Sequence, residues 1–415
     1  MTSIEMLKIY HWIVIFAKSI ISPNPIPILR LPLRQREPIM KIESIEAILV
    51  DIPTTRTHHL SFAAVNVQNY VIVKIVADGI TGIGEASTIG GPAWADESTE
   101  GIKSIIDLYL APRLIGKDAN DIGRLSTLMD IAVKGNRFAK AAIEMALYDL
   151  VARSRKLPVH ALLGGQVHDS IPLAWTLAAG DTARDIAEAE EMLDRRRHNI
   201  FKLKIGAKSA DVDFAHVAAI CKAVGDRASI RVDVNQAWDE LTAAKWIPKL
   251  EDAGVDLIEQ PVARWNFGAM ARLALNNRVA IMADESVGTV QEAFELAKGA
   301  AADVFALKVT KAGGIANTKK VAAIAEGAGI GLYGGCMLET SVGTAAYAQT
   351  FASIAGIDQG CELFGPMLLK DTITVQSLEY RDFRIWIPKG VGSGVDLDED
   401  KLAFYRRDKP VKVAV

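Results

Sequence analysis

The sequence predicts a (β/α) barrel preceded by an α+β domain. The barrel is indicated by five short apolar runs, each of which reads as a strand with a charged residue at or near its end. These residues are Lys204, Asp233, Glu259, Asp284 and Lys308, at successive spacings of 29, 26, 25 and 24 residues. One strand, one helix and two short loops have this length, so the near-constant period is typical of a barrel. Because the C-terminal strand ends of a barrel meet at one mouth, we expect all five side chains there.

Length and composition limit the class of protein. With 415 residues, of which 50% are hydrophobic and 23% charged, the chain is long enough for a barrel and a second domain. Its net charge of −3 provides no basic face for nucleic acid or an anionic membrane, so we expect a small-molecule partner. Cys221, Cys336 and Cys361 are too few and too widely spaced for a disulfide framework. This cysteine usage is typical of a reducing compartment, and we expect the cytoplasm.

Residues 1–39 form an extension that needs a separate interpretation. The apolar run Ile9 to Ile21 is interrupted by His11 and Lys18, which makes it too short and too charged for a membrane span. A targeting segment and a disordered extension both remain open. We prefer a misread start codon, because Met40 is followed at once by a strand pattern.

Residues 40–165 are predicted to form the α+β domain. Alternating apolar residues indicate an antiparallel meander with strands at Lys41–Pro53, Tyr70–Val76 and Thr81–Glu85. The polar segments Thr54–Leu60 and Ser87–Trp94 are predicted to be mobile loops that could cover a site. Three helices are then predicted, at Glu100–Leu114, Ile122–Val133 and Ala139–Arg155.

Residues 166–366 are predicted to form the barrel. Its first strand is expected at Leu173–Leu177, and Gly331–Gly335 and Glu362–Phe364 bring the strand count to eight. Helices between the strands are indicated at Ala215–Ala223, Leu241–Leu250, Val290–Lys298, Thr318–Gly327 and Thr344–Ala352. In the remaining segment, 367–415, Ile373–Trp386 reads as strand material that returns to the first domain.

Three carboxylates at successive strand ends indicate a metal site. Asp233, Glu259 and Asp284 can converge on one hard divalent cation and leave room for substrate oxygens. Any one of them could form an ordinary salt bridge, but three in succession at the barrel period favour the metal. Asn235 follows Asp233 by two residues and is expected to support the ligands from the same side.

Lysines flank these carboxylates. Lys202 and Lys204 point to one face of their strand, and like charge and desolvation favour the neutral amine that a base requires, while the carboxylates oppose this. Lys308 enters from the opposite side. A metal and such lysines suit proton transfer next to a carboxylate, where an enolate must be stabilised. A Schiff-base aldolase that uses Lys204 or Lys308, or an inactive barrel that only binds, are the alternatives.

Seven motifs resemble the muconate lactonizing group of the enolase superfamily. They are FKLKIGA from Phe201, RVDVNQAW from Arg231, DLIEQP from Asp256, MADES from Met282, FALKV from Phe305, GLYGGCMLE from Gly331 and ELFGP from Glu362. The resemblance runs from about Met40 to the C-terminal region. It implies an enolase-superfamily barrel with a capping domain, in which Asp233, Glu259 and Asp284 bind Mn²⁺ or Mg²⁺. Lys204 would be the general acid/base, Lys202 its modulator, Lys308 the group on the opposite face and Glu362 a further polar site residue.

The resemblance also implies a reaction, the closure of the dicarboxylate cis,cis-muconate to muconolactone through an enolate during aromatic compound degradation. Substrate-binding residues would be Ile89, Trp94 and Phe364, with Thr54–Leu60 and Ile89–Trp94 as covering loops. A homo-oligomer, commonly an octamer, would be the assembly.

Two residues depart from the pattern expected for unsubstituted muconate. Trp94 stands where that group has tyrosine and chloromuconate enzymes have tryptophan, and Cys336 stands where threonine is expected. Lys311 and Phe364 match the unsubstituted group. Chloromuconate cyclisation therefore stays open, as do dipeptide epimerisation and N-acylamino acid racemisation.

Overall fold

An antiparallel sheet begins the part of the chain that this computed structural model describes, residues 39–59 and 64–407. Its strands pair in chain order, as β1 (Ile42–His59), β2 (Ala64–Ala77) and β3 (Ile80–Thr88). Asp78 and Gly79 turn the chain between β2 and β3 with positive φ angles, as a tight hairpin requires. The predicted meander is confirmed. The predictions for residues 1–38 lie outside the described residues.

The prediction of a loop at Thr54–Leu60 is wrong for its first six residues. Thr54–His59 continues β1, because pairing with β2 resumes at His58 and Val65 after an irregularity that follows Pro53. Leu60 lies outside the described residues. In the second predicted loop, Ser87 and Thr88 end β3 and Gly91–Ala93 forms a single 3₁₀ turn.

Helices cover one face of this sheet. They are α1 (Thr99–Ile105), α2 (Ala111–Leu114), α3 (Ile122–Ala132), α4 (Arg137–Ser154) and α5 (Val159–Leu162). The single predicted helix Glu100–Leu114 is wrong in detail: a π-helical turn, Ile106–Leu110, separates α1 from α2. Pro112 explains the change, since it has no N–H for the continuing helical ladder. Helix α4 packs so closely on β3 that a Cβ on Gly84 would lie 2.1 Å from the Ala142 carbonyl oxygen.

The described part of the barrel contains seven parallel strands in sequential order. After β4 (Ser170–Pro172) they are β5 (Ala174–Leu177), β6 (Ile200–Lys204), β7 (Ser229–Asp233), β8 (Leu257–Glu259), β9 (Ala280–Ala283), β10 (Val304–Leu307) and β11 (Gly331–Gly334).

The prediction of an eighth strand at Glu362–Phe364 is wrong. Cys361 instead forms single parallel bridges to Gly334 and to Leu173, which join the two edges of the sheet. The chain then turns, with the Phe364 amide donating to the Glu362 carbonyl at 2.6 Å. Pro366 in the next helical turn favours this early end, because its fixed φ suits a helix start.

Helices alternate with the barrel strands as the period predicts. They are α6 (Thr182–Asp194), α7 (Ala210–Val224), α8 (Glu240–Asp252), α9 (Phe267–Asn276), α10 (Val290–Lys298), α11 (Val309–Ala312), α12 (Ile315–Ala328), α13 (Ser341–Ala352) and α14 (Gly365–Leu368). None of the described helices is long and apolar enough to cross a membrane.

The C-terminal segment contributes to two places. Ile373 joins the buried core of the first sheet as predicted, but strands β12 (Tyr380–Arg381) and β13 (Arg384–Trp386) pair with β4 at the start of the barrel, so the prediction is wrong for this part of the segment. Helix α15 (Glu399–Tyr405) also brings Leu402 into a buried cluster with Ile48 and Ile72 of the first sheet. The barrel and the first sheet share this core.

Candidate active site

A small cavity lies at the C-terminal ends of the barrel strands. Polar side chains from strand ends line it: Lys202, Lys204, Asn235, Asp284, Lys308 and Glu362. Apolar side chains close it: Ile89, Trp94, Leu338 and Phe364. The structure thus brings nine predicted site residues to one cavity: the three lysines, Glu362, Asn235, Asp284 and the three substrate-binding residues. Asp233 and Glu259 are bonded to its lysines.

Lys202 is buried among carboxylates. Its ammonium lies 2.9 Å from Glu259 and 3.4 Å from Asp233, and it also pairs with Glu362. Burial acts to lower the pKa of Lys202, but these three carboxylates outweigh burial and raise the pKa well above its ordinary value. At Lys202 the carboxylates thus outweigh the like charge and desolvation that were predicted to favour a neutral amine. Lys202 is a fixed positive charge beneath the cavity.

Lys204 reaches the cavity from the end of the same strand. Its Nζ donates to Asp233 and, at 3.2 Å, to the side-chain oxygen of Asn235. Asn235 adopts a left-handed conformation with φ of 44°, which lets its amide donate to Asp233 Oδ1 at 2.9 Å and its side chain to Glu285 at 3.2 Å. Asn235 therefore holds Lys204 and Asp233 in register, which matches the supporting role predicted for it.

Asp284 carries two lysines on the other side of the mouth. Lys308 Nζ lies 2.7 Å from one carboxylate oxygen, and Lys311 Nζ lies 2.6 Å from the other. Burial acts to raise the pKa of Asp284, but these lysines outweigh it and hold the pKa below its usual range. Burial also acts to lower the pKa of Lys308, and Asp284 and Glu259 reverse this, so the pKa is raised. Lys308 is an ammonium group, as expected.

Lys311 is a site residue that the sequence reasoning did not assign. It lies on the one-turn helix α11, three residues after Lys308, so both side chains reach the same carboxylate. Burial is the largest influence on Lys311 and lowers its pKa, although Asp284 opposes the shift. The sequence signal for Lys311 was its position three residues after Lys308, at the start of a helix that follows a barrel strand.

Asp233, Glu259 and Asp284 have the donor chemistry of a hard-cation site. They are 0%, 1% and 1% exposed, and they end or follow three adjacent strands. Burial raises the pKa of Glu259 well above its usual value, and the neighbouring Asp233 adds to the shift, so the carboxylates repel one another. Among residues 39–59 and 64–407, no three such side chains form a ready metal-binding group, because lysine ammonium groups lie between them.

Glu285 also belongs to this cluster and was not predicted. It is 7% exposed, and burial followed by the charge of Asp284 raises its pKa to about 7. Its Oε2 has no hydrogen-bond partner within the described part of the chain. With Glu285 included, five carboxylates lie among the four lysines of the site, and burial and mutual repulsion raise the pKa of both Glu259 and Glu285.

Comparison with known proteins identifies the chain. Residues 44–164 match the mandelate racemase / muconate lactonizing enzyme N-terminal domain, and residues 184–401 match the enolase C-terminal domain-like family. A chloromuconate cycloisomerase of Cupriavidus necator is 56% identical over 368 residues, which are 89% of this chain and 100% of the relative. Muconate cycloisomerase 1 of Pseudomonas putida is 50% identical over 369 residues, 88% of this chain and 98% of the relative. The chain belongs to the muconate and chloromuconate cycloisomerase family.

A solved structure agrees with this cycloisomerase assignment. The muconate lactonizing enzyme from Pseudomonas fluorescens, complexed with muconolactone, superposes with a TM-score of 0.88 at 51% identity, covering 89% of this chain and 100% of that chain. The predicted resemblance and the predicted enolase-superfamily barrel with its capping domain are confirmed. The relatives are cycloisomerases, so the comparisons favour this enzyme class over the alternatives of a Schiff-base aldolase and an inactive barrel.

Proposed function

We propose that this cycloisomerase closes cis,cis-muconate to muconolactone by a metal-dependent reaction. The observation that carries the proposal is the cavity in which Lys204 and Lys308 both end, between buried carboxylates on one side and apolar residues on the other. In the reaction, one carboxylate oxygen of the substrate bonds to the γ carbon of the diene, which closes a five-membered lactone. The electron pair moves to the carbon next to the other carboxylate, and that carbon takes a proton. A dianion plus one proton thus becomes a monoanion.

Lys204 is the proton donor in this proposal. Lys204 and Lys202 both line the cavity. The Lys204 side chain is 14% exposed, whereas the Lys202 side chain is only 3% exposed and is bound by carboxylates. Lys202 supports Lys204 as a fixed like charge, which favours release of the Lys204 proton. Lys308 presents a second ammonium, and it stabilises the negative charge that develops on the substrate.

Asp233, Glu259 and Asp284 would hold Mn²⁺ or Mg²⁺. All three are carboxylates, the ligands that hard divalent cations prefer, and they are buried at the ends of adjacent strands. When bound, the cation offsets the charge that builds on the substrate carboxylate beside the protonated carbon. Asn235 and Glu285 would steady this set through their mutual hydrogen bond and the bond from Asn235 to Asp233.

Chlorinated muconates are the second candidate substrates. Trp94 and Cys336 both line the cavity, and these are the two residues that depart from the pattern of the unsubstituted group. The identity to a chloromuconate cycloisomerase, 56%, also exceeds the 50% found for muconate cycloisomerase 1. Muconate and chloromuconates undergo the same ring closure. They differ in the volume and polarity of the substituent on the diene, which the cavity must accommodate.

The test is the loss of muconate ultraviolet absorbance on addition of enzyme, measured for cis,cis-muconate and its chlorinated forms. We expect turnover that stops in chelator and returns with Mn²⁺. Absence of turnover on all muconates with Mn²⁺ present would refute the proposal, and epimerisation of dipeptides by the same preparation would favour that other enolate chemistry. The ratio of kcat/KM values decides between the unsubstituted and chlorinated substrates.

A further inference from the structure

Strand β1 contains a bulge near its C-terminal end. Pro53 pairs with Val67, but the next pair is His58 with Val65, so residues 54–57 lie opposite Asn66 alone. A bulge of this kind frees backbone groups from the ladder and redirects the side chains. The bulged residues turn to the barrel: Thr54 bridges to Leu369, and the Thr55 hydroxyl donates to the Leu368 carbonyl at 3.2 Å.

Arg56 is the bulged residue that reaches furthest into the barrel. Its NH2 donates at 3.1 Å to the carbonyl oxygen of Thr176 on β5, and it pairs at 3.1 Å with Glu188 on helix α6. Glu188 Oε1 also accepts from the indole nitrogen of Trp175 at 2.9 Å. The guanidinium lies 5.8 Å from the centre of the Trp175 ring. One side chain from the capping domain therefore contacts a barrel strand, a barrel helix and an aromatic ring.

These contacts connect Arg56 to the wall of the catalytic cavity. Thr176 lines the cavity, and it pairs with Lys202 in the barrel sheet. The Trp175 ring lies 5.1 Å from the ring of Phe364, which lines the cavity on the same side. Because Arg56 NH2 contacts both the Thr176 carbonyl and the Glu188 carboxylate, it ties strand β5 to helix α6 beside these two wall residues.

We propose that Arg56 is a positioning residue that fastens the bulged end of β1 to the barrel and so sets the cavity wall formed by Thr176 and Phe364. Its effect on turnover rests on the proposed function. Because the wall contacts the body of the substrate both before and during reaction, its loss weakens ground-state and transition-state binding alike. We therefore expect loss of Arg56 to raise KM and to change kcat little.

The test combines kinetics with hydrogen exchange. In Arg56→Ala, KM for muconate is expected to rise about 10-fold with kcat changed less than about 3-fold, as for one charge-assisted contact at a partly exposed site. Arg56→Lys should restore part of the affinity only, since an ammonium lacks the planar guanidinium that lies over the Trp175 ring. In Glu188→Gln the side-chain amide oxygen can still accept from the Trp175 indole, but the negative charge that pairs with Arg56 is lost. The double variant should be no worse than Arg56→Ala alone, because the two residues act as a unit.

A matched control lies on the same helix. Glu190 on α6 pairs with Arg227 through bonds of 2.7 and 2.8 Å, and both residues are exposed away from the cavity. Arg227→Ala should leave KM unchanged. Equal effects of the Arg56 and Arg227 variants, or strictly additive effects of Arg56→Ala and Glu188→Gln, would overturn the proposal.

Hydrogen exchange separates this proposal from the proposed reaction. Without substrate, backbone amides of residues 54–59 and 64–67 should exchange faster in Arg56→Ala than in the wild type, and not in Arg227→Ala. Unchanged exchange would refute the fastening role even in an enzyme that turns muconate over. Faster exchange in Arg56→Ala, together with a wild type that is inactive on muconates, would refute the proposed reaction and leave the fastening role standing.

Discussion

Lys308 Nζ lies 4.4 Å from the centre of the Trp94 ring, so the capping domain places an aromatic face directly over a barrel lysine. A cation over an indole is attracted by the ring quadrupole, and the attraction is largest where water is excluded. Lys308 is 4% exposed and also pairs with Asp284. Trp94 therefore helps to hold this ammonium at the cavity when the capping domain is in place.

Trp94→Ala should lower kcat/KM by about 2- to 30-fold, the range that corresponds to the loss of one cation–π contact. Trp94→Tyr should keep most of the activity, because a phenol ring still faces Lys308. Steady-state kinetics on muconate and its chlorinated forms measures both variants. Trp246→Ala is the control. Lys249 Nζ lies 4.1 Å from the centre of the Trp246 ring, and this pair does not line the cavity. A comparable loss in that variant would contradict the assignment to Lys308.

Asp233→Asn, Glu259→Gln and Asp284→Asn should each weaken Mn²⁺ binding, because an amide keeps the shape but removes charge from a hard-cation site. Titration calorimetry measures the affinity. Asp303→Asn is the matched control, since Asp303 accepts from the Ile281 amide at the start of its strand, at the other end of the barrel. Full Mn²⁺ affinity in all three site variants would disprove the metal assignment.

Lys204→Ala should lower turnover by about 10²–10⁴-fold, the usual contribution of a positioned proton donor. Lys204→Arg should recover little, since a guanidinium does not release its proton near neutral pH. Turnover in D₂O followed by NMR should show deuterium in a single configuration at the carbon beside the exocyclic carboxylate. Scrambled label from the wild type, or an undiminished rate in Lys204→Ala, would move the donor role to Lys308.

Stability should fall as pH rises through neutrality because of Glu339. Burial, followed by the nearby Glu85, raises the pKa of Glu339 to about 8 in the folded protein. Between the ordinary value of 4.5 and about 8 the folded state binds more protons than the unfolded state, so the free energy of unfolding decreases with pH across that window. Glu339→Gln should flatten the dependence of Tm on pH between 5 and 8. An unchanged slope would show that Glu339 does not titrate there.

The sequence by itself determined the barrel and the convergence of its polar strand ends. A strand–helix period places Asp233, Glu259 and Asp284 at one mouth whatever the details of packing, and the alternation of a strand places Lys202 and Lys204 on one face. The same local logic placed most helices to within a few residues. These features depend on neighbours along the chain, which a sequence displays directly.

Only the tertiary structure decided the charge of Lys202, the closure of the barrel and the path of β1. Lys202 keeps its proton because Asp233, Glu259 and Glu362 surround it, and these come from three separate places in the chain. The barrel closes at Cys361, which bridges to Leu173 and Gly334 at the two edges of the sheet. Thr54–His59 is a strand and not a loop because its pairing with β2 resumes at His58 and Val65, beyond a bulge that no local pattern shows. Electrostatic balance and side-chain pairing depend on distances in space, which no local pattern contains.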